Sequence, residues 1–392
     1  MTTGAQTLEA ALGRGTRRAG PLDRQRPIRA GVLGADLWIS GAVVALVGIG
    51  IVMVFNVSYF HAERDLGDPY YFFRKHLMAV VLGLVGAVFA ARLSTDDYRR
   101  LAYPALITSL VLLILVLVPG IGVERGGARR WMAFAGASFQ PSEVAKLALV
   151  IYLARALTKK SERLHDFRTG VLPHCLVGAS MAGLLIVEPD FGSAALAAVI
   201  VGLMLFAGGV RLTHLAVLTS GVLPLLVYAM FAEGYRAERL RAFLNPAADP
   251  SGVGYQLNQS LIAFGSGQVF GVGLGESSQK MYFLPAAHTD FIFSVVGEEL
   301  GVVGALVVLG LFACLAVRGL RIAARHPDPF GRLLAIGVSV LLVLQAVLNV
   351  GVVLGCLPTK GLVLPFISYG GSAMLVALAE VGILLSLARE AR

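Results

Sequence analysis

Four clusters of polar residues stand beside long apolar runs in this chain, where hydrocarbon would otherwise begin. The most informative is Gln279–Gly301, QKMYFLPAAHTDFIFSVVGEELG, in which Pro285, His288 and Asp290 directly precede an apolar run opening Phe291-Ile292-Phe293. Hydrocarbon cannot solvate a carboxylate, so Asp290 is a functional candidate unless it does no more than cap its helix. Glu298 and Glu299 follow eight and nine residues later, about two helical turns down, and need a polar interior to face. Gln279, Lys280 and His288 of the same stretch are candidate substrate contacts.

The second cluster is Ala128-Arg129-Arg130-Trp131 followed by Gln140-Pro141-Ser142-Glu143 and Lys146. Pro141 suits a helix start, where its missing N–H costs nothing. Glu143 and Lys146 then share one helix face, either as an ion pair at the interface or as a pair lining a cavity. Arg130 is an interfacial anchor or a grip for phosphate, which guanidinium matches geometrically. The third cluster, Glu188-Pro189-Asp190, sets two carboxylates between two apolar runs; Asp190 either caps a helix or faces a cavity able to take a divalent cation. The fourth holds Lys360, then Ser368-Tyr369-Gly370-Gly371, and reads as a broken or re-entrant lead into the last apolar run. Its glycines permit close helix packing or close approach of backbone to a substrate.

The elements that must position these groups follow from composition. Of 392 residues, 57% are hydrophobic and 15% charged, against roughly 45–50% and about 25% in soluble domains. Ten apolar runs approach the ~20 residues a membrane helix needs: 36–58, 75–93, 101–119, 143–158, 169–187, 190–209, 212–232, 290–317, 331–356 and 367–388. The fold class is therefore an all-α integral membrane protein of about ten transmembrane helices. With the N-terminus inside, 21 of the 33 Lys and Arg fall on the inner side and 11 on the outer, which is the positive-inside bias. It explains the net charge of +9 without nucleic acid. All four polar clusters then map to the outer face. They bring acids, bases and small backbone to one cavity, the equipment for an anionic substrate handled at the outer membrane surface.

Residues 1–34 are basic, lack an apolar core and read as a disordered cytoplasmic tail rather than a signal peptide. The membrane domain runs from 35 to 389. Its one long loop, 232–289 on the outer side, alternates polar residues with Leu257, Leu261, Ile262 and Phe264, and predicts short interfacial or re-entrant helices between spans seven and eight. Cys175, Cys314 and Cys356 lack metal-ligand spacing and read as small buried hydrophobes.

The segments ARRW (128–131), FQPSEVAKLA (139–148), EPDFGSA (188–194), NQSLIAFGSG (258–267), GLGESSQK (273–280), FLPAAHTDFIFSVVGEELG (283–301) and LPTKGLVLPFISYGGS (357–372) closely resemble the SEDS family of bacterial shape, elongation, division and sporulation proteins. The resemblance spans about residues 36–389 and is nearer the division and sporulation members than the elongation members. It implies a multi-pass protein of the bacterial cytoplasmic membrane at the division site, with both termini cytoplasmic. The implied activity is peptidoglycan glycosyl transfer, polymerising lipid II into glycan strands. The family's essential aspartate falls on Asp290, whose single carboxylate suits a general base on a sugar hydroxyl. Arg130, Lys146, Lys360 or a divalent cation (Mg or Mn, with Asp190 and Asp290 as candidate ligands) would meet the leaving pyrophosphate; no organic cofactor is implied. The implied partners are lipid II, the growing strand, a class B penicillin-binding transpeptidase and other division-site membrane proteins. The family's LPEAHTD reads here with Ala286 in place of the Glu. The competing functions are a lipid II flippase and a recruiting scaffold. A coupled flippase calls for ionisable groups at mid-bilayer on several spans, and a scaffold needs no outer acids.

Overall fold

The computed structural model describes residues 36–391 apart from 126, 135–136, 232–233, 245–252, 281–283, 285–286 and 359–360. The tail read as disordered lies outside them. Among the described residues twelve α-helices run in order: α1 Leu37–Leu66, α2 Tyr71–Arg92, α3 Thr95–Leu117, α4 Pro141–Lys159, α5 Leu172–Val187, α6 Phe191–Ala207, α7 Leu212–Phe231, α8 Gly234–Leu244, α9 Val253–Ser266, α10 Ile292–Arg325, α11 Pro329–Val353 and α12 Gly371–Glu390. Eight are long and apolar enough to cross a membrane: α1, α2, α3, α5 with the turn leading into it, α7, α10, α11 and α12. The shorter apolar α6 adds a ninth to these, set against the ten expected, and the expected run 143–158 is the 19-residue α4, which carries Glu143, Lys146, Arg155 and Lys159.

Local chemistry sets where these helices begin. Asp36 accepts hydrogen bonds from the N–H groups of Trp38 and Ile39 at the start of α1, and Asp328 accepts from Gly331 at the start of α11. Ser94 and Asp97 form a reciprocal capping box on α3. Pro141 and Pro329 occupy first turns, as their missing N–H allows. Observed and expected spans differ most where helices outrun their apolar windows. α1 continues eight residues past position 58, through Glu63-Arg64-Asp65, and α10 continues to Arg325. A helix satisfies its own backbone, so hydrophobicity can stop before the helix does.

The core is built on α4, α11 and α12, whose inner faces are largely buried, while none of the described side chains of α7 is. Small residues let the helices close up. A Cβ at Gly382 of α12 would stand 2.3 Å from the Ala87 carbonyl oxygen of α2, and one at Gly50 of α1 would stand 2.2 Å from the Phe366 carbonyl oxygen. At the bundle end away from Asp290, ion pairs and hydrogen bonds tie distant elements together. Arg318 pairs with Asp36, Arg99 pairs with Asp328 at 2.6 Å, and Glu390 accepts from the Thr95 N–H and hydroxyl.

The Asp290 end is less regular. The predicted helices of the long loop are α8 and α9. A three-stranded antiparallel sheet was not expected: β1 Gly122–Arg125, β2 Ala128–Phe134 and β3 Ala137–Phe139 fill the link between α3 and α4. Gly126-Gly127 is a two-residue hairpin signal, and Gly127 takes a φ of 75°. α10 is interrupted at Gly301 (φ 67°, ψ −168°). The break is stitched by the turn after α9. Val272 and Gly273 N–H donate to the Glu298 and Glu299 carbonyls at 2.9 and 3.1 Å, while Val302 and Val303 N–H donate to the Gln268 and Val269 carbonyls at 3.0 and 3.1 Å.

Gly50 supplies a direct test of this packing. Gly50→Val should drive a side chain into the Phe366–Ile367 turn and destabilise the protein by about 1–3 kcal/mol, read as a lower thermal midpoint in detergent. Gly48→Val, two residues away with nothing within 4 Å of the new Cβ, should leave the midpoint unchanged. Equal midpoints for the two variants would contradict the packing described.

Candidate active site

Asp290 sits in the turn that leads into α10, and the backbone of that turn is pinned from two sides. The Asn349 amide of α11 donates to the Asp290 carbonyl at 2.9 Å and to the Leu362 carbonyl at 2.6 Å, bridging the two non-helical segments of the site. The Ser368 hydroxyl donates to the Thr289 carbonyl at 2.6 Å, and the Tyr369 N–H donates to the His288 carbonyl at 2.9 Å. Ser368 Oγ also accepts from the Leu364 N–H, closing the turn in which Phe366 takes a φ of 66°. Gly361 lies against the carboxylate: a Cβ there would meet Asp290 Oδ2 at 3.4 Å.

The carboxylate faces a cavity of about 480 Å³. Its polar part is lined by Asp290, Thr289, His288, Arg130, Lys75 and Gln140, with Gly361, Gly370 and Gly371 contributing backbone. Its apolar part follows α2 through Met78, Ala79 and Leu82, which with Lys75 recur at the spacing of one helix face. Arg130, on β2, donates from Nε to the Glu188 carbonyl at 3.2 Å and from Nη2 to the Pro189 carbonyl. Lys75 Nζ rests on Tyr71, 2.5 Å from its hydroxyl. An aromatic wall of Phe72 and Tyr369 packs against the His288 ring, at centroid separations of 4.9 and 5.8 Å.

These surroundings tune the titrating groups. Burial pushes the Asp290 carboxyl up to about 6, with Arg239 and Arg130 pulling the other way. Burial, assisted by His61, lowers the His288 imidazole to about 4, so it is neutral at pH 7. Burial and the neighbouring Asp190 raise Glu188 to about 8, so that acid is mostly protonated at the same pH. The site therefore combines one ionised carboxylate poised near neutrality with flanking cations and an apolar wall.

The family model described as "Cell cycle protein" and covering FtsW, RodA and SpoVE matches residues 37–392. The chain belongs to the FtsW/RodA/SpoVE family. A probable peptidoglycan glycosyltransferase FtsW of Trichlorobacter lovleyi is 47% identical over 354 residues, covering 90% of this chain and 92% of that protein. The FtsW of Coxiella burnetii is 41% identical over 91% of this chain and 96% of its own length. Among solved structures, a chain from work on how a peptidoglycan synthase complex coordinates polymerization and crosslinking superposes with a TM-score of 0.76. It is 33% identical over 92% of this chain and 99% of that one. The rod shape determining protein RodA of Thermus thermophilus superposes at 0.68 with 32% identity, over 92% of this chain and 98% of that one.

In this FtsW-like fold, five of the sequence-predicted site residues line the cavity: Asp290, Arg130, His288, Gly370 and Gly371. Ser368 acts on the site through the Thr289 carbonyl. Asp190 caps α6 by accepting from the Ser193 N–H and reaches the cavity only through Gln140, whose side-chain amide lies 3.4 Å from Oδ2. Others lie elsewhere than the expected outer cavity. Lys146 is buried in the helix core, donating to Glu143 at 2.7 Å and to Gln345 at 3.3 Å. Lys280 is buried against Glu299, and the adjacent Gln279 is also absent from the cavity lining. Both pairs were drawn to the cavity by their position in the sequence, but a charge deep in a bundle is stable only where its counter-charge is. Lys360 and Ala286 lie outside the described residues.

Sequence reasoning missed Lys75, Gln140 and Asn349 as site residues. Lys75 opens an apolar run with Arg74 and resembles any interfacial cation, while Asn349 reads only as a polar break in α11. Among the described residues, no three His, Cys, Asp or Glu side chains converge to hold a metal ion. Asp190 Oδ1 accepts from the Ser193 N–H, and Oδ2 lies 3.4 Å from the Gln140 amide.

The raised Asp290 carboxyl is open to direct observation. Infrared spectra recorded against pH should show a protonated carboxyl that disappears as pH rises through about 6 and is missing from Asp290→Asn. An Asp290 that titrates at roughly 4, the value of an unperturbed aspartate, would contradict the environment described.

Proposed function

We propose that this protein is a peptidoglycan glycosyltransferase that polymerises lipid II during septal wall synthesis, with Asp290 as its general base. The observation that carries the reading is the placement of one carboxylate, pushed up to about 6, in a cavity with Arg130 and Lys75 on its polar side and an apolar stripe of α2 on the other. Asp290 accepts the proton of the acceptor's 4-hydroxyl as that oxygen bonds to the anomeric carbon of the donor sugar. The bond from that carbon to the lipid pyrophosphate breaks, and the leaving oxygen carries its electron pair away as part of an already stable anion. No acid is needed to protonate it, which is why a single carboxylate suffices. Arg130 and Lys75 offset the pyrophosphate charge, and the α2 stripe accepts the start of the polyprenyl chain.

The surplus of basic residues on one side of the spans supports a cavity opening at the outer face of the cytoplasmic membrane, with both termini inside. Similarity to a chain of a synthase complex supports a class B penicillin-binding transpeptidase as partner. Two sets of deep ionisable groups that a flippase would use, Glu143 with Lys146 and Glu299 with Lys280, are paired with one another away from the cavity, which supports polymerase over flippase.

The test is polymerisation of labelled lipid II by the purified protein with that partner. Asp290→Asn should lower the rate by about 10²–10⁴-fold, the usual worth of a general base. A base must be deprotonated to act, so the wild-type rate should fall as pH drops through about 6. Arg130→Ala should weaken lipid II binding and slow turnover together. Glycan product undiminished in Asp290→Asn would overturn the assignment. Lipid II translocation in vesicles without product would favour the flippase.

A further inference from the structure

Lys280 and Glu299 meet at the base of the segment that carries Asp290. Their side chains are 1% and 0% exposed. The Lys280 ammonium donates to Glu299 Oε1 at 3.0 Å, Asn56 Oδ1 at 2.6 Å and the Gly275 carbonyl at 2.6 Å. Its three donors thus meet three acceptors. The other Glu299 oxygen accepts from the Asn56 amide. Next to it, Glu298 accepts from the Ser277 hydroxyl and from the Ser278 N–H and hydroxyl. None of these side chains lines the cavity.

The position of this network in α10 gives it a purpose. The break at Gly301 separates Ile292–Leu300 from the rest of the helix, so continuing helical hydrogen bonds do not fix its direction. This half-helix is held at one end by the pinned turn of Asp290. At the other it is held by the carbonyl bonds to Val272 and Gly273 and by the side chains of Glu298 and Glu299. Glu299 lies nine residues beyond Asp290, about 14 Å along the axis, so a small tilt at the base displaces the carboxylate at the tip.

We propose that the Lys280–Glu299–Asn56 network is a positioning device for Asp290, a tether that sets the angle of the half-helix through α1 and the Gly275–Lys280 turn. This inference rests on Asp290 being the base. Lys280 and Glu299 act through the half-helix and do not touch substrate. An ammonium with three fixed acceptors sets both distance and direction, which neutral packing of the same volume does not.

The experiment measures polymerisation kinetics of the full protein with its partner for Lys280→Met, Glu299→Gln, Lys280→Met/Glu299→Gln and Asn56→Leu, each normalised to folded protein, with Asp290→Asn alongside. The double variant leaves no charge unpaired and should recover the thermal midpoint lost in the single variants. Its kcat should nevertheless stay about ten- to a hundredfold down, the scale of an ångström-sized misplacement, with KM within about threefold of wild type. Asn56→Leu, which spares the ion pair, should give a smaller fall in kcat. A double variant that regains kcat with its stability would reduce the network to a structural role and overturn the proposal. So would wild-type kcat in Asn56→Leu should the double variant not fold. Activity retained in Asp290→Asn would instead overturn the assignment of the base, whatever the Lys280 variants do.

Discussion

Hydrocarbon offers no hydrogen bonds, so every backbone group released by a helix break inside a membrane protein must find a partner in the protein itself. The Asp290 end of this molecule is organised by that requirement. Around Asp290 the chain departs from helix in the turns on either side of α10's first segment and in the lead into α12, and the protein supplies their partners. Asn349 donates to both the Asp290 and Leu362 carbonyls, and Ser368 and Tyr369 donate to the two carbonyls before Asp290. The break at Gly301 is filled by backbone from residues 268–273, which approach so closely that a Cβ at Gly271 would stand 2.1 Å from the Glu299 carbonyl oxygen. Irregular backbone, which a bundle normally excludes, lines the cavity because the Asn349 and Ser368 side chains and the Tyr369 N–H satisfy its carbonyls.

The same low-polarity surroundings divide the charged residues into two populations. The two buried core lysines are paired: Lys146 with Glu143, Lys280 with Glu299. Removing one member of such a pair leaves a buried charge uncompensated, a loss of about 3–5 kcal/mol. The cavity holds the second population. Asp290 has Arg239 and Arg130 near it, but burial outweighs them and raises its carboxyl towards neutrality. A fully exposed carboxylate would stay at roughly 4, and one in a close salt bridge would fall lower and be a weaker base still.

How far the sequence exposes this arrangement depends on which physical signal each part emits. Long apolar runs set the helices and their number. Capping residues such as Asp36, Ser94 and Asp328 mark starts that hydropathy places only approximately. Asp290, Arg130 and His288 were legible as candidates, and they line the cavity with the paired glycines, because a polar group at a membrane mouth is anomalous on its own. Glu143, Lys146 and Lys280 were equally anomalous and carried the same signal, but their destination depends on a partner far away in sequence: Gln345 for Lys146, and Glu299 and Asn56 for Lys280. A single sequence does not report such pairings. Strands of three to seven residues are too short for periodicity to announce, and only the Gly126-Gly127 pair hinted at the sheet that presents Arg130.

The sheet and the helix break belong to one design argument. A catalytic carboxylate at a membrane surface needs cations close enough to assist an anionic leaving group and distant enough to leave the carboxylate basic. Arg130 meets both conditions because its guanidinium is anchored to two backbone carbonyls, those of Glu188 and Pro189, rather than to Asp290. Glu188 lends its carbonyl while its own carboxyl, raised to about 8, stays mostly neutral at pH 7 and adds little negative charge beside the guanidinium. His288, lowered to about 4, likewise stays neutral next to the carboxylate and competes with neither cation nor base. The net field at the carboxylate is therefore set by Arg239, Arg130 and Lys75 against Asp290. That balance suits a diphosphate leaving group at the polar end and a hydroxyl acceptor at the carboxylate, and it requires that the half-helix hold Asp290 at a fixed distance from β2.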